Sequence, residues 1–76
     1  MMRKLDGKVI GRRLRELRGV HRTQEDVAQA VGVTKMAVSD YENGKRIPAD
    51  PVKIKLASYF ETTVGFLFYG ESREVI

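Results

Sequence analysis

Met36, Ser39, Asp40 and Asn43 fall on one side of a helix when residues are placed at 100° intervals, and Lys35 flanks them. The set holds a cationic donor, an apolar contact, a hydroxyl that donates and accepts, a carboxylate that only accepts, and an amide. Such a face recognises by hydrogen bonding and does not break bonds. Ser39-Asp40 has no accompanying base, and the chain carries no Gly-rich phosphate loop, paired-carboxylate motif or metal-ligand spacing. His21 is the only histidine and there is no cysteine with which it could hold a metal, so it reads as an ordinary loop residue. These absences point to a non-enzyme that needs no cofactor or metal.

Charge suggests what such a face would meet. Fourteen Lys and Arg against ten Asp and Glu give a net charge of +4, with a pI near 9.7. Residues 1–22 hold eight basic and two acidic side chains, a net +6, and the rest of the chain is net −2. A basic end of this kind suits a polyanion such as nucleic acid, because Lys and Arg that neutralise phosphates release condensed counterions. Arg12, Arg13 and Arg15 have two readings, a solvated helix face or a general attraction, and by position they are not base readers.

Size and composition narrow the class further. A chain of 76 residues makes one domain, expected over 1–76, and buries only roughly 60% of its unfolded surface. That leaves little room for a deep catalytic cleft or a small-molecule effector pocket. Without cysteine, helix packing has to hold the fold. The longest apolar runs, such as 66–69, fall far short of the roughly 20 residues that span a bilayer, and no signal-peptide pattern opens the chain. The expectation is a cytoplasmic protein without a membrane partner.

The elements that must position the polar face are all helical. Ile10, Leu14 and Leu17 recur at i, i+4 and i+7 and predict an amphipathic helix over about 8–18, stopped by Gly19. Thr23 can cap a second helix over 24–31, with Asp26 three residues on, a buried stripe of Val27, Ala28 and Val31, and Gly32 to end it. Thr34 can cap a third over 35–42, ended by Asn43-Gly44, with Ala37, Val38 and Tyr41 packing inward. After the basic loop 45–48, Asp50-Pro51 reads as an N-cap followed by proline, opening a fourth helix over 51–60 marked by Ile54, Leu56, Ala57 and Phe60. Thr62 or Thr63 can cap a short fifth helix over 64–69, ended by Gly70. No strand-type alternation or internal repeat competes with five helices.

The stretches IGRRLRELR, TQEDVAQAVGVTKMAVSDYENGKRIP, KLASYF and TTVGFLFYG together resemble the phage-repressor and Cro-type (Xre-type) helix-turn-helix family over nearly the whole chain. The features that carry the resemblance are Gln24 at the start of helix 2, Ala28 within it, Gly32 at the turn, Val38 in helix 3 and Glu42-Asn43-Gly44 after it. Any one alone is weak, but in register they are specific. The resemblance implies an all-α, compact five-helix bundle, lambda-repressor-like, with the motif in helices 2 and 3. It also implies a bacterial or phage-encoded DNA-binding protein in which Gln24 and Asn43 meet the DNA backbone or a neighbouring base edge, and in which Arg18 and Glu42 form a structural ion pair.

A major groove takes an α-helix and shows a distinct pattern for each base pair. Against that pattern Lys35 can donate to guanine O6 and N7, Met36 can touch a thymine methyl, Ser39 can meet a base or a phosphate, and Asp40 can accept from cytosine N4. Asp40 has alternative readings as a solubilising charge or a selector against some bases, and Met36 as an ordinary exposed apolar residue. Gln24 with the helix 2 amides, Thr34, Asn43, Lys45 and Arg46 are the expected phosphate contacts.

Two features depart from the family pattern. The connection 19–22 is about one residue short, with Arg22 where an apolar residue is usual, and Gly65 sits inside the fifth helix. Tyr59, Phe66, Phe68 and Tyr69 are more aromatics than the last two helices of so small a core can bury fully, which makes Phe66, Phe68 and Tyr69 candidates for an interface, the alternative being that all are core. An isologous dimer would set two recognition helices roughly 34 Å apart on double-stranded DNA. The expected function is a sequence-specific transcription regulator on a palindromic operator, more a repressor than an activator since no activation domain is present. A rival of another class, a protein-interaction module such as an antitoxin, would use a tail that orders on binding. The six residues 71–76 are little material for one.

Overall fold

The computed structural model describes residues 5–70. The expected tail at 71–76 lies outside them. The elements run α1 (Gly7–Arg18), α2 (Gln24–Val31), α3 (Lys35–Glu42), α4 (Asp50–Tyr59) and α5 (Val64–Tyr69), with no strand among the described residues.

Local chemistry sets these boundaries. Asp6 begins α1 by accepting from the backbone N–H of Lys8 at 3.0 Å and Val9 at 3.4 Å, which starts the helix one residue before the expected position. Thr23 and Asp26 form a reciprocal capping box at α2, their two hydrogen bonds 3.0 and 2.9 Å long. Thr34 caps α3 through the Ala37 N–H, and Thr63, not Thr62, caps α5 through the Phe66 N–H. Gly32 closes α2 in the left-handed conformation, at φ 77° and ψ 33°. A Cβ there would meet nothing within 4 Å, so backbone conformation and not space favours glycine at the turn.

Helix α4 departs from expectation in two ways. Asp50 is the first helical residue, and Ala49 occupies the cap without a side-chain hydrogen bond. The Asp50 carboxylate lies instead 3.4 Å from Lys53 Nζ, one turn on. Ile54, one of the four apolar residues that mark this helix in the sequence, is 62% exposed, whereas Lys53 is buried. Lys53, Leu56, Ala57 and Phe60 share the spacing i, i+3, i+4 and i+7, and that stripe is the one α4 buries, which turns Ile54 outward. The Lys53 stem fills the apolar position while its amine is held by the Tyr69 hydroxyl at 3.3 Å and sits over the Phe68 and Tyr69 rings.

The core gathers Ile10 and Leu14 from α1, Val27, Ala28 and Val31 from α2, Ala37, Val38 and Tyr41 from α3, Leu56 and Phe60 around α4, and Leu67 and Phe68 from α5. Helix α3 packs against both α1 and α2, while α4 packs on α2 and α5, and α5 on α1. The approach of α1 to α3 is set by Gly11: a Cβ there would lie 2.2 Å from the Glu42 carbonyl oxygen and 2.8 Å from that of Tyr41. The two backbones touch because no side chain separates them, and this contact brings Arg15 and Arg18 to the end of α3.

Candidate nucleic-acid interface

Helix α3 buries Ala37, Val38, Tyr41 and Glu42, and this fixes what it presents to solvent. Thr34, Lys35 and Met36 are exposed, Met36 to 73%, and Ser39 and Asp40 are half-buried along the same outward side. Asn43, Lys45 and Arg46 continue that surface and are all exposed. The face is thus physically continuous from the start of α3 to the loop after it.

Glu42 holds this face from behind. Its side chain is only 2% exposed, yet it receives Arg18 Nε at 2.6 Å and Arg18 Nη2 at 3.0 Å, one hydrogen bond to each carboxylate oxygen. Gln24 Nε2 adds a third at 3.0 Å, and Arg15 Nε stands 3.8 Å away. Burial works against ionisation of Glu42, but the hydrogen bonds from Arg18 and Gln24 and the charges of Arg18 and Arg15 together outweigh it. The carboxyl is therefore held below its usual pKa. Among the described residues no buried side-chain nitrogen or oxygen lacks a partner, so the buried charge is fully compensated. Glu42 thereby ties α1, the start of α2 and the end of α3 into one rigid unit.

Gln24 faces inward at this cluster with one N–H, and its amide retains a second N–H. Asp40 has Arg46 beside it, at 3.9 Å, which offsets the carboxylate charge on a basic surface. The Arg46 guanidinium also lies over the Tyr41 ring, 5.7 Å from its centre.

The helix α1 arginines have separate fates. Arg13 points away from α3, donating to the Leu67 carbonyl at 3.4 Å and covering the Phe66 ring. Arg15 donates to Asn43 Oδ1 at 3.1 Å, and Asn43 Nδ2 donates to Ser39 Oγ at 3.2 Å. The contact from Arg15 to α3 escaped the sequence reading. Its signal was the three-residue spacing from Arg18, which places both arginines on one helix face. Arg22, in the short connection, lies over Tyr59 at 5.2 Å and Phe60 at 5.6 Å, covering apolar surface with its guanidinium plane.

The three candidate interface aromatics divide. Phe68 is 2% exposed and belongs to the core, so it forms no interface. Phe66 is half-buried beneath Arg13, and Tyr69 is 37% exposed. Side chains two residues apart on a helix point about 200° apart, so Phe66 and Phe68 face opposite ways.

Residues 12–67 match the family described as Helix-turn-helix. The chain belongs to that family. Its helix-turn-helix lies in α2 and α3, within a DNA-binding domain of the type found in transcriptional regulators of the Xre and phage-repressor kind, a family of DNA-binding regulators and not of enzymes. A relative in Bacillus subtilis strain 168, the uncharacterized HTH-type transcriptional regulator YqaE, is 32% identical over 54 residues, covering 71% of this chain and 47% of that protein. The chain therefore spans about half the length of that relative. In three dimensions the helix-turn-helix chain is similar to the restriction-modification controller protein C.AhdI from Aeromonas hydrophila, with a TM-score of 0.76 and 33% identity over 83% of this chain and 97% of that one. The P22 c2 repressor, solved in complex with synthetic operator 9T, shares the fold at a TM-score of 0.78 and 23% identity over the same shares of the two chains. No helix among the described residues is long and apolar enough to cross a membrane.

Proposed function

We propose that the protein is a sequence-specific transcriptional regulator that sets α3 into the DNA major groove, binds a palindromic operator as a homodimer and represses by occupying it, with residues 1–76 acting as one binding unit. The observation that carries this reading is the outward face of α3, polar apart from Met36 and anchored from behind by the buried Glu42 cluster. A recognition helix that does not tilt keeps its side chains in register with base edges, which present one donor and acceptor pattern per base pair.

Lys35, Met36, Ser39 and Asp40 are the base readers in this proposal, with Lys35 exposed at the first turn of α3. Thr34, Asn43, Lys45 and Arg46 contact phosphates, and so does the second amide N–H of Gln24. Arg46 compensates Asp40 until a cytosine amine replaces it. The α5 margin, Phe66 with Tyr69, provides the dimer contact, and two-fold symmetry then matches half-sites one helical turn apart. Two comparisons support the regulatory reading: C.AhdI is a controller protein, and the P22 c2 repressor was solved on an operator.

Selection of bound sites from a random double-stranded DNA library at near-physiological salt tests it. The expected result is an enriched palindrome with half-sites about one helical turn apart, roughly 34 Å. Recovery of no enriched sequence overturns the reading in favour of a protein-interaction module.

A further inference from the structure

The hydrogen-bond chain from Arg15 through Asn43 to Ser39 has a direction. Arginine carries donors and no acceptor, so the Asn43 amide must turn its oxygen towards Arg15 and its NH2 towards Ser39. Ser39 Oγ accepts from that NH2. The Ser39 O–H proton then points elsewhere, and the open direction is outward, along the face of α3. Arg15 itself is steered by Glu42, 3.8 Å from its Nε, whose carboxylate is fixed by Arg18 and Gln24. A buried, immobile charge is thus linked through two surface side chains to one hydroxyl on the recognition helix.

We propose that Arg15 is a positioning residue for sequence recognition: by fixing the Asn43 amide it presents Ser39 as a hydrogen-bond donor, which selects an acceptor on the base edge it meets. The acceptors available in the major groove are guanine O6 and N7, adenine N7 and thymine O4. The cytosine N4 and adenine N6 amines are disfavoured there, because they can use only the remaining lone pair of the hydroxyl and leave its proton without an acceptor. This inference rests on the reading that Ser39 meets a base edge. In the free protein the Arg15 side chain is 57% exposed and water competes with the chain. DNA docked on the face removes that water, and in the lower local dielectric each hydrogen bond strengthens and polarises the next.

The test is site selection repeated with the full chain carrying Ser39→Ala, Arg15→Met or Asn43→Asp, with thermal unfolding to confirm that each folds. Ser39→Ala should flatten the preference at one base pair by about fivefold, the ratio set by one net hydrogen bond. Arg15→Met should flatten the same base pair, and the double variant should lose no more than either alone. Asn43→Asp supplies a second reading, because a carboxylate keeps the Arg15 contact but cannot donate to Ser39. The hydroxyl then turns its proton inward, and the preference should move towards a base that offers an amine. Loss of affinity on all sequences alike with Arg15→Met, while Ser39→Ala still flattens one position, would overturn the relay and leave base reading by Ser39 intact. An unaltered preference with Asn43→Asp counts against the relay in the same way. No change of preference with Ser39→Ala would instead sink the reading beneath it, that Ser39 meets a base at all.

Discussion

Arg18 and Glu42, 24 residues apart in sequence, are joined by two hydrogen bonds of 2.6 and 3.0 Å at the point where α1 crosses the end of α3. The pair lies behind the proposed reading face, so its geometry fixes the angle at which α3 leaves the bundle. Stability and recognition consequently share a cause in this protein, and substitutions here should separate from substitutions on the outward face.

Glu42→Ala should destabilise the fold by about 3 kcal/mol, the low end for breaking a buried pair, because Arg18 keeps some contact with water. Since the Glu42 pKa is depressed in the folded protein, its contribution is fully present above the unfolded value of about 4.3 and is lost as pH falls through the folded pKa. Urea denaturation measured from pH 6 downward checks both statements. Glu42→Gln should reduce the slope of stability against pH below about pH 4.3, and an unchanged slope would assign the acid sensitivity to other carboxylates.

Gly11→Ala should cost about 3 kcal/mol or more, because the added methyl lands on the Glu42 backbone and not on a flexible side chain. The helices must part, so operator affinity should fall along with the unfolding midpoint. A variant that melts normally yet still binds would show that α1 and α3 tolerate separation.

Lys35→Ala should relax preference at one base pair by about 1 to 3 kcal/mol, whereas Lys45→Ala should weaken all sequences alike and reduce the salt slope by about 0.9. Binding titrations on the operator and on mismatched duplexes at several salt concentrations distinguish the two. Equal effects of both substitutions on every sequence would remove Lys35 from the readers.

Phe68→Ala should lower stability by about 3 to 5 kcal/mol as a core truncation. Phe66→Ala should instead weaken self-association, read by sedimentation equilibrium, with a smaller effect on unfolding. Sedimentation of Phe66→Ala indistinguishable from the unaltered protein would place the dimer contact away from α5.

Much of the helix pattern was legible because its signals act within about one turn. Thr23 with Asp26, and Thr34, satisfy backbone N–H groups three residues away, and Gly19, Gly32, Gly44 and Gly70 end elements by adopting positive φ. The periodicity of Ile10 and Leu14, and of Val27, Ala28 and Val31, likewise named the inward faces of α1 and α2. Phe66 and Phe68 could have been separated from sequence alone, since residues two apart cannot share a helix face.

Other features needed the assembled fold. Helix α4 offers apolar residues on more than one side, and only the positions of α2 and α5 decide that Lys53 is covered and Ile54 is not. Arg22 reads as a loop charge until Tyr59 and Phe60 arrive beneath it. Gln24 turns one N–H inward to a carboxylate 18 residues away, and Arg15 meets an amide 28 residues away. The sequence by itself determined the five helices, with the start of α4 misplaced by one residue, and which outward groups α3 offers, because capping, glycine conformation and periodicity are local. The tertiary structure decided which charged side chains are held and which are presented, because burial and hydrogen-bond partnership depend on what the other helices bring to each surface.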